Sequence, residues 1–323
     1  MLTYIARRVL YSIPVILLAS FLLFAFVRAT FDPTAKLRNS REGAAAVSRE
    51  TKRLGLDKPL VEQYGDWLGK FVQGDWGESE RTHDSTSAMI SRALGYTVQL
   101  IFWGILISAF VAIFVGVYSA VKQYSALDYT FTGLSFIGLA LPPFWFGLIA
   151  IQFLAVGPKQ WFNLTEPPFF FVGLHGTGET GVNLDYFRHL ALPVLTLTVQ
   201  IVAGWSRFQR ASMLDVMSAD YIRTARAKGV PRKRVIIRHG LRNALIPLVT
   251  VMALDIGALF GGLIITEKIF SIPGMGRLFF DSLVAGDATV LVAWTIVVAL
   301  FILLFNLLAD IFYGFLDPRI RLT

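Results

Sequence analysis

Apolar positions along this chain gather into long blocks instead of a short alternating period. Six runs are free or nearly free of charge: Val9 to Val27, Val98 to Ala120, Phe131 to Val156, Leu190 to Trp205, Asn243 to Thr266 and Ala288 to Ala309. Because about 20 apolar residues cross the ~30 Å hydrocarbon core of a bilayer, each run predicts a transmembrane helix. The fourth is the shortest, and the fifth carries one charge, Asp255. Arg7 and Arg8 precede the first run as they would a secretory signal. Its length exceeds the roughly 7–15 apolar residues of a signal core, and no A-x-A site follows before Arg28 and Pro33, so 1–28 reads as a retained anchor.

Between the fourth and fifth runs, Trp205 to Arg242 holds ten Lys/Arg against two Asp. Within it Ser218 reads as an N-cap, Ala219 to Lys228 has no Gly or Pro, and Gly229 then Pro231 read as the terminator of a short helix. A helix of that length is unstable alone in water, so it needs a surface to dock into. A second pattern lies in 29–97. Asp57 reads as an N-cap with Pro59 just inside, and Leu60, Tyr64, Trp67, Leu68 and Phe71 recur at helical spacing. Such a helix rests on the membrane or on neighbouring spans more readily than it forms a binding surface, because aromatic side chains collect at the membrane interface. Residues 157–189, rich in Gly, Pro and Phe, show no period. After the fifth run, SIPGMGRLFFDSL opens with a Pro-Gly turn and continues as an apolar helix, which makes Pro273, Gly274 and Met275 a candidate outer gate or docking ledge.

Composition agrees with these blocks: 55% of residues are hydrophobic and 16% charged, against roughly 25% charged in soluble domains. The chain is a polytopic membrane protein. A net charge of +8 would suggest nucleic acid or an acidic surface in a soluble chain. Here the basic residues stand in loops beside spans, where positive charge marks the cytoplasmic side. An even number of spans puts both termini on that side, with Arg7, Arg8, Lys122, the basic 205–242 loop, Arg319 and Arg321. The segment 29–97, with its ten carboxylates, and the loops 157–189 and 267–287 then face outward. There is no Cys, hence no disulfide, no thiolate metal site and no Cys nucleophile.

An ordered series of segments carries a family resemblance over nearly the whole length. It runs YIARRVLYSIPVILLASFLLF, LGLDKPLVEQYGDWLGKFVQGDWGES, ALPPFWFGL (140–148), HLALPVLTL (189–197), ASMLDVMSADYIRTARAKGVPRKRVIIRHGLRNALIPLVT, ITEKIFSIPGMGRL (265–278) and LDPRIR (316–321). The chain resembles the permease subunits of binding-protein-dependent ABC importers, in the oligopeptide/dipeptide branch, and within it the first permease of the pair. The resemblance implies an all-α membrane protein of six transmembrane helices with a cytoplasmic coupling helix, the type I ABC importer permease fold, its five-helix core spanning 98–323. It implies a second homologous permease, two ATP-binding cassette ATPase subunits or domains, and an extracytoplasmic solute-binding protein that delivers peptide. The setting it implies is the bacterial cytoplasmic (inner) membrane.

In that family the cytoplasmic loop motif reads E-A-A, three residues, then G, with an I-x-L-P-like ending. Gly229 matches the glycine, Arg223, Thr224 and Ala225 the triplet, and Asn243 to Pro247 the ending. Arg stands for Glu and Thr for the first Ala, a form usual in peptide permeases, so nothing can rest on the generic glutamate. Small side chains at Thr224, Ala225 and Ala227 would let the helix approach a partner closely, with Tyr221 and Ile222 as an apolar anchor. Gly229 would supply a left-handed cap that turns the chain back toward the membrane.

No G-x-x-x-x-G-K-[ST] occurs, so this chain has no P-loop for ATP; if transport is ATP-driven, as the resemblance implies, ATP and Mg sit on partner ATPase subunits and this chain carries no cofactor of its own. His83, His175, His189 and His239 have no metal-ligand spacing, and no nucleophile-elbow sequence is present, which argues against an enzyme. The basic loop is pinned at both ends to the bilayer and lacks an aromatic platform for bases, so its partners are protein and anionic lipid, not nucleic acid. Asp255 is either a pathway residue or a buried structural acid bonded to Ser, Thr or Trp of a neighbouring helix. Gly262 shares its face, whereas Gly257 and Gly261 form a G-x-x-x-G pair suited to close packing. Pro142 and Pro143 should bend or break the third span, as a kinked pathway helix or a passive packing kink. The competing function is a self-sufficient secondary transporter or channel with Asp255 as its ion-coupling residue.

Overall fold

A computed structural model of the chain describes residues 2–30, 32, 34, 43–53, 55–260 and 263–316. Among them every regular element is helical. From the N-terminus come α1 (Leu2–Thr30), α2 (Gly43–Arg53), α3 (Leu60–Val72) and α4 (Thr86–Val121). Then follow α5 (Ala126–Ala140), α6 (Pro143–Ile151), a π-helical turn (Gln152–Val156), α7 (Gly157–Trp161), α8 (Leu184–Ser218) and α9 (Asp220–Ala227). The last part holds α10 (Arg232–Arg234), a second π-helical turn (Val235–Leu241), α11 (Arg242–Leu259), α12 (Ile264–Ile269), α13 (Met275–Ala285) and α14 (Ala288–Leu316). Five runs are long and apolar enough to cross a membrane, namely those of α1, α4, α8, α11 and α14, and a sixth crossing forms when α5 and Pro143–Trp161 count as one bent span.

The densest helix pair is α4 with α8. Along α4, Leu100, Gly104, Ser108, Ala112, Gly116 and Ala120 recur every four residues and all are buried. Leu197 fills the space left at Gly104, and at Gly116 a side chain would stand 2.6 Å from Gln209 Cβ and 2.8 Å from the Ser206 carbonyl oxygen. In lipid, helices associate by packing and not by excluding water, so small residues that let backbones approach are the decisive ones. α5 joins the same helix, with Gly138 against Ala203 and the Ser135 and Ser206 hydroxyls 3.2 Å apart. α14 closes the other flank, where Phe260 stacks on Phe301 and Phe305 and Gly257 lets α11 approach Phe305. Gly261 and Gly262 lie outside the described residues, as do Arg319 and Arg321.

The third apolar run is not one helix. α5 ends at Ala140, Leu141 is extended, and α6 begins with Pro143, so the two pieces meet at 106°. Proline cannot donate to the helix ladder, and it pushes the residue before it out of the helical region. The Leu141 carbonyl left open by the break accepts a hydrogen bond from Gln200 Nε2 of α8 at 3.0 Å. The fourth span is also longer than its charge-free run: α8 continues unbroken to Ser218. Ser218 therefore closes one helix instead of opening the next, and its hydroxyl donates to the Asp215 carbonyl at 2.8 Å. Ala219, with extended ψ, holds the N-cap position of α9.

α3 lies on α1, as its aromatic spacing predicts. The Tyr64 hydroxyl is 2.6 Å from Ser20 Oγ, Trp67 packs on Phe24 and Phe71 stacks on Trp76. Its N-cap is Pro59, not Asp57, because Pro59 itself takes a non-helical ψ of 143° and delays the start to Leu60. The aperiodic loop 157–189 is gathered by Arg188, which donates to the Pro167 and Pro168 carbonyls and lies over the Phe170 ring.

Candidate coupling surface and translocation pathway

α9 hangs below the bundle between the end of α8 and the return toward α11. Gly229 ends it at φ +73°, with its N–H bonded to the Arg226 carbonyl and that of Val230 to the Ala225 carbonyl. A side chain at Gly229 would meet nothing within 4 Å, so the glycine answers the backbone alone. The two faces of α9 differ. Ile222 and Ala225 turn inward and pack with Val235, Met217 and Val230. Tyr221, Arg223, Thr224 and Ala227 are exposed. This corrects two expectations: Ile222 is not an anchor offered to a partner, and the small size of Ala225 serves the chain's own packing. Tyr221 remains outward, its hydroxyl accepting from Asn243 Nδ2 at 3.2 Å, which ties it to the start of α11.

Close to the same end, Asp128 in the first turn of α5 is 2% exposed. It accepts from Arg210 Nε and Nη2, each at 2.9 Å, and from the Tyr124 N–H at 2.9 Å. The fork clamps α5 to the lower half of α8. Sequence reading missed it because 82 residues separate the partners.

Asp255 is exposed on α11, and its Oδ2 accepts from the Trp205 indole of α8 at 2.7 Å. The Trp partner expected of a buried structural acid is thus present but the burial is not, and the exposure fits a pathway. No hydrogen bond or ring contact among the described residues joins Pro142 or Pro143 to Asp255. Their link runs through α8, which holds the broken span at Gln200 and the carboxylate at Trp205.

On the opposite end, Glu267 is fully buried. Thr97 Oγ1 donates to its Oε1 at 2.7 Å and accepts from the Met275 N–H at 2.8 Å, while Glu267 Oε2 accepts from the Arg277 N–H at 2.9 Å. The carboxylate therefore caps the N-terminus of α13, where backbone donors and the helix dipole favour negative charge. Gly274 fits because a side chain there would collide with Glu267 and stand 2.6 Å from Thr97 Oγ1. Of the candidate gate residues, Gly274 and Met275 are buried in this junction and Pro273 alone is exposed. On the same side, α2, α3 and 75–83 border an open cavity of about 860 Å³ lined by Arg28, Lys70, Trp76 and Glu80 among others. Burial and the nearby Asp287 push the Glu80 carboxyl above its ordinary value. No cluster of three or more potential metal ligands occurs among the described residues.

Two family descriptions match almost the whole chain: "Binding-protein-dependent transport system inner membrane component" over residues 112–322, and its N-terminal counterpart over residues 1–99. The oligopeptide transport system permease protein AppB of Bacillus subtilis is 41% identical across 99% of this chain and 100% of the relative. The di/tripeptide transport system permease protein DppB of Pseudomonas aeruginosa is 36% identical over 99% of each chain. The dipeptide transport system permease protein DppB of Escherichia coli is 37% identical, again over 99% of each. Among solved structures, an amino acid ABC transporter crystallised with histidines superposes with a TM-score of 0.50 at 12% identity, covering 70% of this chain and 94% of that one, which shows a shared fold. The chain belongs to the inner-membrane permease components of binding-protein-dependent transport systems, with their all-α type I importer fold.

Proposed function

We propose that this chain is one half of the transmembrane pathway of an ATP-driven importer of peptides, coupled through α9 to a separate ATPase. The observation that carries the reading is the division of α9: one face is fixed to its own chain by Ile222 and Ala225, and the other leaves Tyr221, Arg223, Thr224 and Ala227 exposed. Peptide as cargo follows from the relatives, which are named as oligopeptide and dipeptide permeases. The partners are a second homologous permease, two ATPase subunits that hold ATP and Mg, and an extracytoplasmic solute-binding protein. The α9 side, with its basic loop, faces the cytoplasm together with both termini. Family membership sets aside a self-sufficient secondary transporter, and this subunit performs no chemistry of its own.

Ala227→Glu tests the reading, because Ala227 is exposed and its change leaves the inner face of α9 untouched. A charge buried without a partner costs several kcal/mol. The variant should reach the membrane at the wild-type level yet lose both the co-purifying ATPase and ATP-dependent uptake, with Lys233→Ala as an unaffected control. Retention of the ATPase and of uptake in Ala227→Glu would refute coupling through α9.

A further inference from the structure

A carboxylate in a membrane-spanning helix is costly unless it meets a partner or faces a water-filled passage. Asp255 is exposed, and so are Leu254 beside it and Ala258 one turn on. One of its oxygens, Oδ2, is bonded to Trp205, which is itself 2% exposed. An indole N–H is neutral, so it aims the carboxylate without cancelling its charge. Two cations on the same helix as Trp205 are engaged elsewhere: Arg210 pairs with Asp128, and Arg207 lies over the Phe136 ring. Asp255 forms no ion pair among the described residues, and its side chain is exposed.

We propose that Asp255, held in place by Trp205, is a binding point for the ammonium group of the transported solute, which is the amino terminus when that solute is a peptide. The inference rests on the chain being half of a translocation pathway. A charge-assisted hydrogen bond between ammonium and carboxylate is roughly twice as strong as a neutral one, and a narrow passage screens it less than bulk water does. A cation supplied by the second permease subunit would occupy the same place, and the experiment separates the two.

The chain has no Cys, so Ala258→Cys carries its single thiol, one turn from Asp255. The complete transporter is reconstituted in liposomes with its binding protein and ATP. Two methanethiosulfonate reagents, ethylammonium and ethylsulfonate, are then applied from both sides. Modification of this chain is followed by mass spectrometry, each rate being divided by the reagent's rate with free cysteine. The ammonium reagent should be favoured about tenfold, as expected of an attractive charge in a confined passage, and Asp255→Asn in the same background should abolish the preference. A free-amine tripeptide should slow the ammonium reagent more than its N-acetyl derivative does. Equal normalised rates, a preference that survives Asp255→Asn, or equal protection by the two peptides would overturn the ammonium site and leave the pathway standing. Failure of both reagents to react during turnover would remove Asp255 from the pathway as well, while coupling to the ATPase would still be judged by Ala227→Glu.

Discussion

Ala225 and Ala227 are two small residues on one eight-residue helix, yet only the second is available to another protein. Sequence patterning identifies the helix, and it cannot assign the faces because the packing partner, Val235, lies beyond the terminating turn. Asp128 shows the complementary case, a buried acid whose cation arrives from a distant helix. Asp128→Ala would leave Arg210, itself partly buried, without its carboxylate and the Tyr124 N–H without an acceptor. Removing one member of a buried pair costs about 3–5 kcal/mol, and the partial exposure of Arg210 places this site toward the lower end. The purified complex should unfold several degrees earlier, with Asp128→Asn milder because its one remaining carbonyl oxygen still accepts a hydrogen bond. A melting temperature unchanged in Asp128→Ala would show that the fork holds nothing together. What was legible here was residue type: Gly229 takes the left-handed conformation its position suggested, and Asp255 does find a Trp. The capping of α13 by Glu267 was not, because Thr97 reaches Glu267 across 170 residues of chain.

At the scale of elements, charge-free runs located the spans well and their ends poorly. Hydropathy stops where charge begins, whereas α8 stops only where the backbone turns, at Ala219. The Pro142–Pro143 break was foreseeable from the missing donors, but not the hydrogen bond that Gln200, from another helix, donates to the Leu141 carbonyl at the break. The four-residue stripe of small residues on α4 stood open in the sequence as well, and a search for uncharged length passes over it. Gly116→Val tests the stripe, since the added carbons would press on Gln209 and on the Ser206 backbone, which cannot move aside as a flexible side chain could. Overpacking of this kind costs typically 1–3 kcal/mol. The expected outcome is a lower yield of assembled complex and a lowered melting temperature, while Gly133→Val, where no neighbour lies within 4 Å, should behave as wild type. Equal behaviour of the two variants would mean that α4 and α8 are not held by close approach.

For the whole molecule, the arrangement puts the basic α9 loop and the 157–189 loop on opposite sides of the membrane. With no Cys in the chain, single thiols report this directly. In intact cells Glu179→Cys should react with an impermeant maleimide, and Lys233→Cys only after permeabilisation; labelling of position 233 from outside would invert the proposed orientation. Glu179 is exposed. α8 joins the two sides as one helix of 35 residues. At 1.5 Å per residue it is about 50 Å long, well beyond the ~30 Å hydrocarbon core. Such a shaft fixes a bearing as well as a reach, for every residue in it turns the tip by about 100°. One residue inserted between Trp205 and Ser218 would leave every span in register and still point α9 away from its partner, whereas an insertion close to a whole number of turns, such as seven residues for about two, would bring its bearing back into phase.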